Sequence, residues 1–148
     1  MAERTHTAQE VAEAVGRGMY ERDWCAQAHG IVLTEIAPGF ARMTMTVRKD
    51  MVNGHDSCHG GMTFTLADTA FAYACNSGNE ATVAASCHIS FPAPGRLGDV
   101  LTAEAREVHR KGRSGVYDCI ITNQDGVVVG IFRGQSAAVK GHVVKLPD

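Results

Sequence analysis

The stretch HGGMTFTLADTAFAYAC, residues 59–75, constrains the fold of this chain more than any other. It opens on Gly60-Gly61, and between Met62 and Cys75 it carries one charged residue, Asp68. Read as a helix it is apolar on nearly every side, so something must wrap it. Asn76-Ser77-Gly78 supplies the stop signal, because Asn and Gly tolerate the left-handed conformation.

The flanking sequence provides the wrapping. Residues 7–22 read as a short helix, with Val11, Val15 and Met19 four apart, and 1–22 form an N-terminal helical segment. Residues 31–36 and 40–47 alternate, and the intervening Ala37-Pro38-Gly39 makes a turn, as in an antiparallel hairpin. Residues 51–58 read as a loop with its turn at Asn53-Gly54. After the central helix, 81–91, 100–109, 114–123 and 127–139 read as strands. Strands joined by short turns pair antiparallel. A curved antiparallel sheet folded around one long central helix satisfies the whole pattern, an α+β arrangement. At 148 residues, with no linker or repeat, the chain reads as one domain, 1–148.

Charge and composition narrow the partners. A formal net charge of −2 lacks the basic footprint that nucleic acid requires. No apolar run approaches the ~20 residues that span a bilayer, so no membrane partner is expected. MAERTHTAQEV has no apolar core and does not read as a secretory signal. The five cysteines, Cys25, Cys58, Cys75, Cys87 and Cys119, are odd in number and form no CxxC pair. Reduced thiols in a cytoplasmic protein are the expectation.

Asp68 is the residue that calls for chemistry. Aspartate is a poor helix-interior residue, and burying it unpaired costs several kcal/mol or forces it to take up a proton. An exposed stripe or an arginine partner from the sheet would explain it, but Leu66, Ala67, Ala70, Phe71, Ala72 and Ala74 leave little room for a solvated face. Perturbed carboxylates in apolar settings are disproportionately catalytic. At the front of the helix, unsatisfied N–H groups and the positive dipole end suit a developing oxyanion. A glycine there admits a ligand close to the backbone. Gly60 and Asp68 are roughly 12 Å apart along the axis. An oxyanion donor and a base must both lie within about 3 Å of one reacting group, so one helix cannot supply both. Two such helices, antiparallel about a two-fold axis, can. The expectation is a dimer with two shared sites.

NGHDSCHGG followed by LADTAFAYACN resembles the signature of the hotdog-fold acyl-CoA thioesterases, nearest the phenylacetate-degradation branch. The likeness runs from about MYERDWCAQAHGI to FRGQSAAV. It implies a hotdog fold and hydrolysis of acyl-CoA, with phenylacetyl-CoA and ring-hydroxylated aromatic acyl-CoAs as substrates. It also implies a homodimer with shared active sites and a dimer-of-dimers tetramer. No cofactor is implied, coenzyme A being part of the substrate, and no metal. Position by position, the resemblance makes Asp68 the catalytic carboxylate, as nucleophile or general base, and Gly60 the oxyanion donor. Asn53 positions the water or the thioester, and His59 supports the start of the helix. It sets coenzyme A against the turn HRKGRSG, where Arg110, Lys111 and Arg113 surround Gly112, with Ser114 following. Arg133 is a weaker candidate of the same kind.

Other readings compete. His55, Cys58 and His59 could ligate zinc, but no second cluster completes the set. A Cys58–His59 nucleophilic pair is disfavoured because adjacent side chains rarely meet. A hydratase or dehydratase on the same fold would use a histidine–acid pair. A non-catalytic acyl-CoA binder would have no use for Asp68.

Overall fold

The computed structural model describes residues 5–147; the first four residues of the expected 1–22 segment, and residue 148 of the expected 1–148 domain, lie outside the described residues. Helix α1 is Ala8–Tyr20. It starts where the sequence has a capping box: the Glu10 N–H donates to Thr7 Oγ1 at 3.2 Å, and the Thr7 N–H to Glu10 Oε2 at 2.8 Å. A second helix, α2 at Trp24–Ala28, was not expected. It is too short to show a period, and its cap, Asp23, accepts from the Ala26 N–H at 2.9 Å.

Strands β1 (Val32–Ala37) and β2 (Phe40–Thr46) form the expected hairpin. A 3-10 turn at Lys49–Met51 leads into the loop before the central helix, α3, Gly60–Asn76. The rest is strand: β3 Glu80–Ser90, β4 Val100–Lys111, β5 Ser114–Thr122 and β6 Val128–His142. The helix ends at Asn76 as its stop signal implies, but the left-handed residue is Asn79, with φ +67°, and not Gly78.

The strands make one antiparallel six-stranded sheet in the order β1-β2-β4-β5-β6-β3. Neighbours in sequence pair where the turn is short, as at β4–β5, where Lys111 faces Ser114. β3 does not pair with β4, because residues 91–99, with Pro92 and Pro94, carry the chain away from it. It pairs instead with β6 and forms an edge of the sheet.

The sheet curls around α3, which touches every strand. Leu66, Ala67, Ala70, Phe71, Tyr73 and Ala74 are buried beneath it. Phe71 stands 5.5 Å from Tyr117 and 5.6 Å from Phe132, centroid to centroid. This close approach needs Gly134 on β6, where a Cβ would lie 2.8 Å from the Phe71 ring. Burial holds α3 helical, since glycines and β-branched threonines are poor helix formers. Thr65 and Thr69 return their hydroxyl donors to the carbonyls of Gly61 and Thr65, at 2.8 and 2.6 Å.

The wrapping is incomplete along one stripe. Gly61 is exposed, and Thr65, Asp68, Thr69 and Ala72 are half-buried. This stripe carries the carboxylate.

Candidate active site

The loop before α3 is fixed by backbone bonds. The His59 N–H donates to Met51 O at 2.7 Å, and the Cys58 N–H to Gly95 O at 2.8 Å. Asn53 is the hub of this loop. Its Oδ1 accepts from the His55 N–H (2.9 Å), the Ser57 N–H (3.3 Å) and the Ser57 hydroxyl (3.2 Å). Three donors on one oxygen fix the amide orientation and leave Nδ2–H₂ without an acceptor among the described residues. Asn53 can therefore donate to a carbonyl or a water, and cannot act as a base.

His59 is the N-cap of α3. Its Nδ1 accepts from the Gly61 N–H at 2.9 Å, so Nε2 carries the proton. The neighbouring Gly60 N–H has no acceptor among the described residues. It is a free donor at the positive end of the helix. Gly60, Asn53, Ser57, Thr63, Phe91 and Pro92 line one cavity of about 350 Å³.

The glycine pair is a matter of space. Gly60 and Gly61 are not among the positive-φ residues. A Cβ at Gly60 would come 3.0 Å from Phe91 Cζ, and one at Gly61 would come 3.1 Å from His59 Nδ1. Each glycine leaves room for a neighbouring ring.

Asp68 lies two turns along α3 on the open stripe. It makes no hydrogen bond or ion pair among the described residues, and burial pushes its carboxyl above the usual carboxylate range. It has neither the arginine partner nor the full solvation of an ordinary surface aspartate. Its charge reaches Cys87 on β3 and Cys75 further along the helix, and both thiols are raised, chiefly by burial, Cys75 to about 12. Within one chain, then, Asn53, His59 and Gly60 come together and Asp68 does not join them.

The basic turn is at the tip of the β4–β5 hairpin, with Gly112 at φ +59°. Its cations differ in freedom. Arg110 pairs with Glu80 of β3. Arg113 donates through Nε and Nη2 to Ala138 O, at 3.1 and 2.9 Å. Lys111 and Ser114 are exposed, and Lys111 has no ion pair among the described residues. Cys75 is within electrostatic reach of both Asp68 and Arg110. Arg133 instead clasps Asp118 at 2.6 and 2.8 Å.

Two residues at the site escaped the sequence reading. Phe91 could have been flagged as an aromatic residue leading into a proline-rich turn, and Ser57 as the closing residue of an Asx turn on Asn53. Among the described residues no three His, Cys, Asp or Glu side chains are grouped to hold a metal ion, so His55, Cys58 and His59 do not form such a set. No helix of the described residues is long and apolar enough to cross a membrane.

A six-stranded antiparallel sheet curled around one long central helix is the hotdog fold. The sequence matches the thioesterase superfamily over residues 55–130, and the chain belongs to that family. It is 53% identical to the acyl-coenzyme A thioesterase PaaI of Escherichia coli (strain K12) over 125 residues, which are 84% of this chain and 89% of that protein. The solved structure of the E. coli PaaI protein, from the phenylacetic acid degradation operon, superposes with a TM-score of 0.90 at 49% identity, covering 92% of this chain and 99% of that one. A hypothetical thioesterase from Streptococcus pneumoniae TIGR4, solved with coenzyme A, superposes with a TM-score of 0.79 at 25% identity, covering 84% and 98%.

Proposed function

We propose that this chain hydrolyses acyl-CoA thioesters to the free acid and coenzyme A, with phenylacetyl-CoA and its ring-hydroxylated forms as substrates. The observation that carries the reading is Asp68, a half-buried carboxylate without a partner on the open stripe of α3, with a free Gly60 N–H at the start of the same helix. The name and operon of the E. coli relative support the acyl group, and the coenzyme A in the pneumococcal structure supports the carrier.

The reaction uses two protomers. With two α3 helices antiparallel across their open stripes, Gly60 of one faces the Asp68 of the other. The thioester oxygen accepts from the Gly60 N–H, and Asn53 Nδ2 is placed to donate to the same oxygen or to the water. Asp68 takes a proton as water adds to the carbonyl carbon, or adds to it directly. In either case the C=O electron pair moves to an oxygen held by backbone dipole. Collapse breaks the C–S bond, and the coenzyme leaves as thiolate and takes up a proton; on the direct route this leaves an Asp68 acyl anhydride, which water then hydrolyses to the free acid and the regenerated carboxylate. His59 positions rather than reacts: its Nδ1 is engaged by the Gly61 N–H, which leaves the Gly60 N–H free.

Assembly follows from the same surface. β3 is a sheet edge, its Val83 is 50% exposed, and it adjoins the open α3 stripe. A second copy on that edge covers both and completes two sites; pairing of such dimers gives a tetramer. The coenzyme would run toward Arg110, Lys111, Gly112, Arg113 and Ser114, with Lys111 the cation free to meet a phosphate. No cofactor is required, and the working compartment is the cytoplasm. The test is phenylacetyl-CoA mixed with the protein and a thiol reagent. Coenzyme A must appear; a hydratase or a non-catalytic binder releases none.

A further inference from the structure

We infer that Phe91 determines acyl specificity: its ring, standing against Gly60, forms the wall along which a flat aromatic acyl group lies in preference to a flexible straight chain. The inference rests on the thioester reading above and adds a residue to it.

Three observations converge on this ring. The backbone at Gly60 does not need a glycine, since its φ is not positive. What excludes a side chain there is Phe91, whose Cζ, Cε2 and Cε1 would lie 3.0, 3.4 and 3.5 Å from a Cβ. The tip of the ring therefore touches the residue whose N–H is the free donor. Second, Phe91 is 51% exposed although large and apolar, and the cavity of about 350 Å³ that it lines also holds Asn53, Gly60 and Thr63. Third, the ring is on a stiff support. Pro92 and Pro94 follow it with restricted φ, and the Cys58 N–H bond to Gly95 O ties this loop to the segment that starts α3.

The consequence is geometric. A carbonyl oxygen accepting from the Gly60 N–H sits about 3 Å from that nitrogen, so the first acyl carbons lie within contact of the ring. An aromatic acyl group can stack or pack edge-to-face on Phe91. A straight chain makes weaker contacts there and must also give up rotamer freedom.

The test compares kcat/KM for phenylacetyl-CoA with that for octanoyl-CoA, an ester of the same acyl carbon count. Phe91→Ala should lower the aromatic-to-straight-chain ratio about fivefold, the middle of what an aromatic pair contributes. Phe91→Tyr should keep the ratio. Phe91→Leu, which retains apolar bulk and protects folding, should lower it in the same direction. Gly60→Ala keeps the N–H but displaces the ring, so it should lower the ratio too, and adding Phe91→Ala to it should change the ratio little further. A ratio within about twofold of wild type in both Phe91→Ala and Phe91→Leu overturns the assignment, as does an equal loss on the two esters. A wild-type protein that releases coenzyme A from neither ester overturns the thioesterase reading itself, and the role of Phe91 with it.

Discussion

Replacing Asp68 by asparagine keeps the size and shape of the side chain on the open α3 stripe while removing its charge and its basicity. No hydrogen bond or ion pair of the described residues is broken, because Asp68 makes none. If the carboxylate delivers the nucleophile, kcat should fall at least ~100-fold, the low end for losing a positioned base. At 1.36 kcal/mol per tenfold, that is about 2.7 kcal/mol of barrier. KM should change little, since the carbonyl is held by Gly60 and the coenzyme by other elements. Stability should move the other way, with the sign set by proton linkage. Burial raises the folded-state pKa of Asp68 above 3.8. Between 3.8 and that higher value the folded state holds more protons than the unfolded, so the wild type loses stability as pH rises through this window. The asparagine side chain of the variant does not titrate, so the melting temperature of Asp68→Asn relative to wild type should climb across that window and then level off. The acid limb of wild-type kcat should likewise fall above the ordinary aspartate range. Release of coenzyme A and thermal melting, measured on one preparation from acid to neutral pH, decide the matter. A folded Asp68→Asn protein with near-normal hydrolysis would refute the mechanism. A destabilised variant with normal turnover per folded molecule would make Asp68 a structural anchor.

Gly60→Pro removes the free N–H at a first helical position whose backbone accepts proline, after a His59 whose ψ of 132° suits it, and, like Gly60→Ala, it displaces the Phe91 ring. Mixed with Asp68→Asn, it should form hybrid dimers with one intact site, and an equimolar mixture should recover about a quarter of wild-type activity; no recovery after subunit exchange would rule out shared sites. Changing Arg110, Lys111 and Arg113 together to alanine should raise KM for acyl-CoA more than it lowers kcat, and the effect should shrink with salt. Arg113→Ala alone should also lower stability by about 1 kcal/mol, because it frees the Ala138 carbonyl, whereas Lys111→Ala should leave melting unchanged; an unaltered KM at low salt for the triple variant would remove this turn from the site. Gly134→Ala puts a Cβ 2.8 Å from the Phe71 ring and should cost about 1–3 kcal/mol in denaturant unfolding; a neutral result would mean that α3 shifts away from the sheet without cost.

What the sequence determined by itself is whatever depends on local period and on burial along one element. The limits of α3 follow from an apolar run between Gly60 and Asn76. α1 begins where Thr7 and Glu10 can cap it, and β1, β2, β4, β5 and β6 follow from alternation and short turns. The anomaly of Asp68 was visible for the same reason, because its neighbours in sequence are its neighbours on the helix. Tertiary structure decided what depends on distant segments meeting. Alternation says that β3 is a strand but not that its partner is β6, since pairing over that separation is a choice of the whole sheet. The loose charges of the basic turn looked equivalent in sequence, yet Arg110 is spoken for by Glu80 and Arg113 by the Ala138 carbonyl. Asn53 could be singled out, but only its bonds to His55 and Ser57 fix which end of its amide is free. Gly60 read as room for a ligand; the structure shows that the room is also taken by the Phe91 ring, from a strand end thirty-one residues away in sequence. Packing of that kind is set by where the sheet brings two backbones, and no local pattern records it.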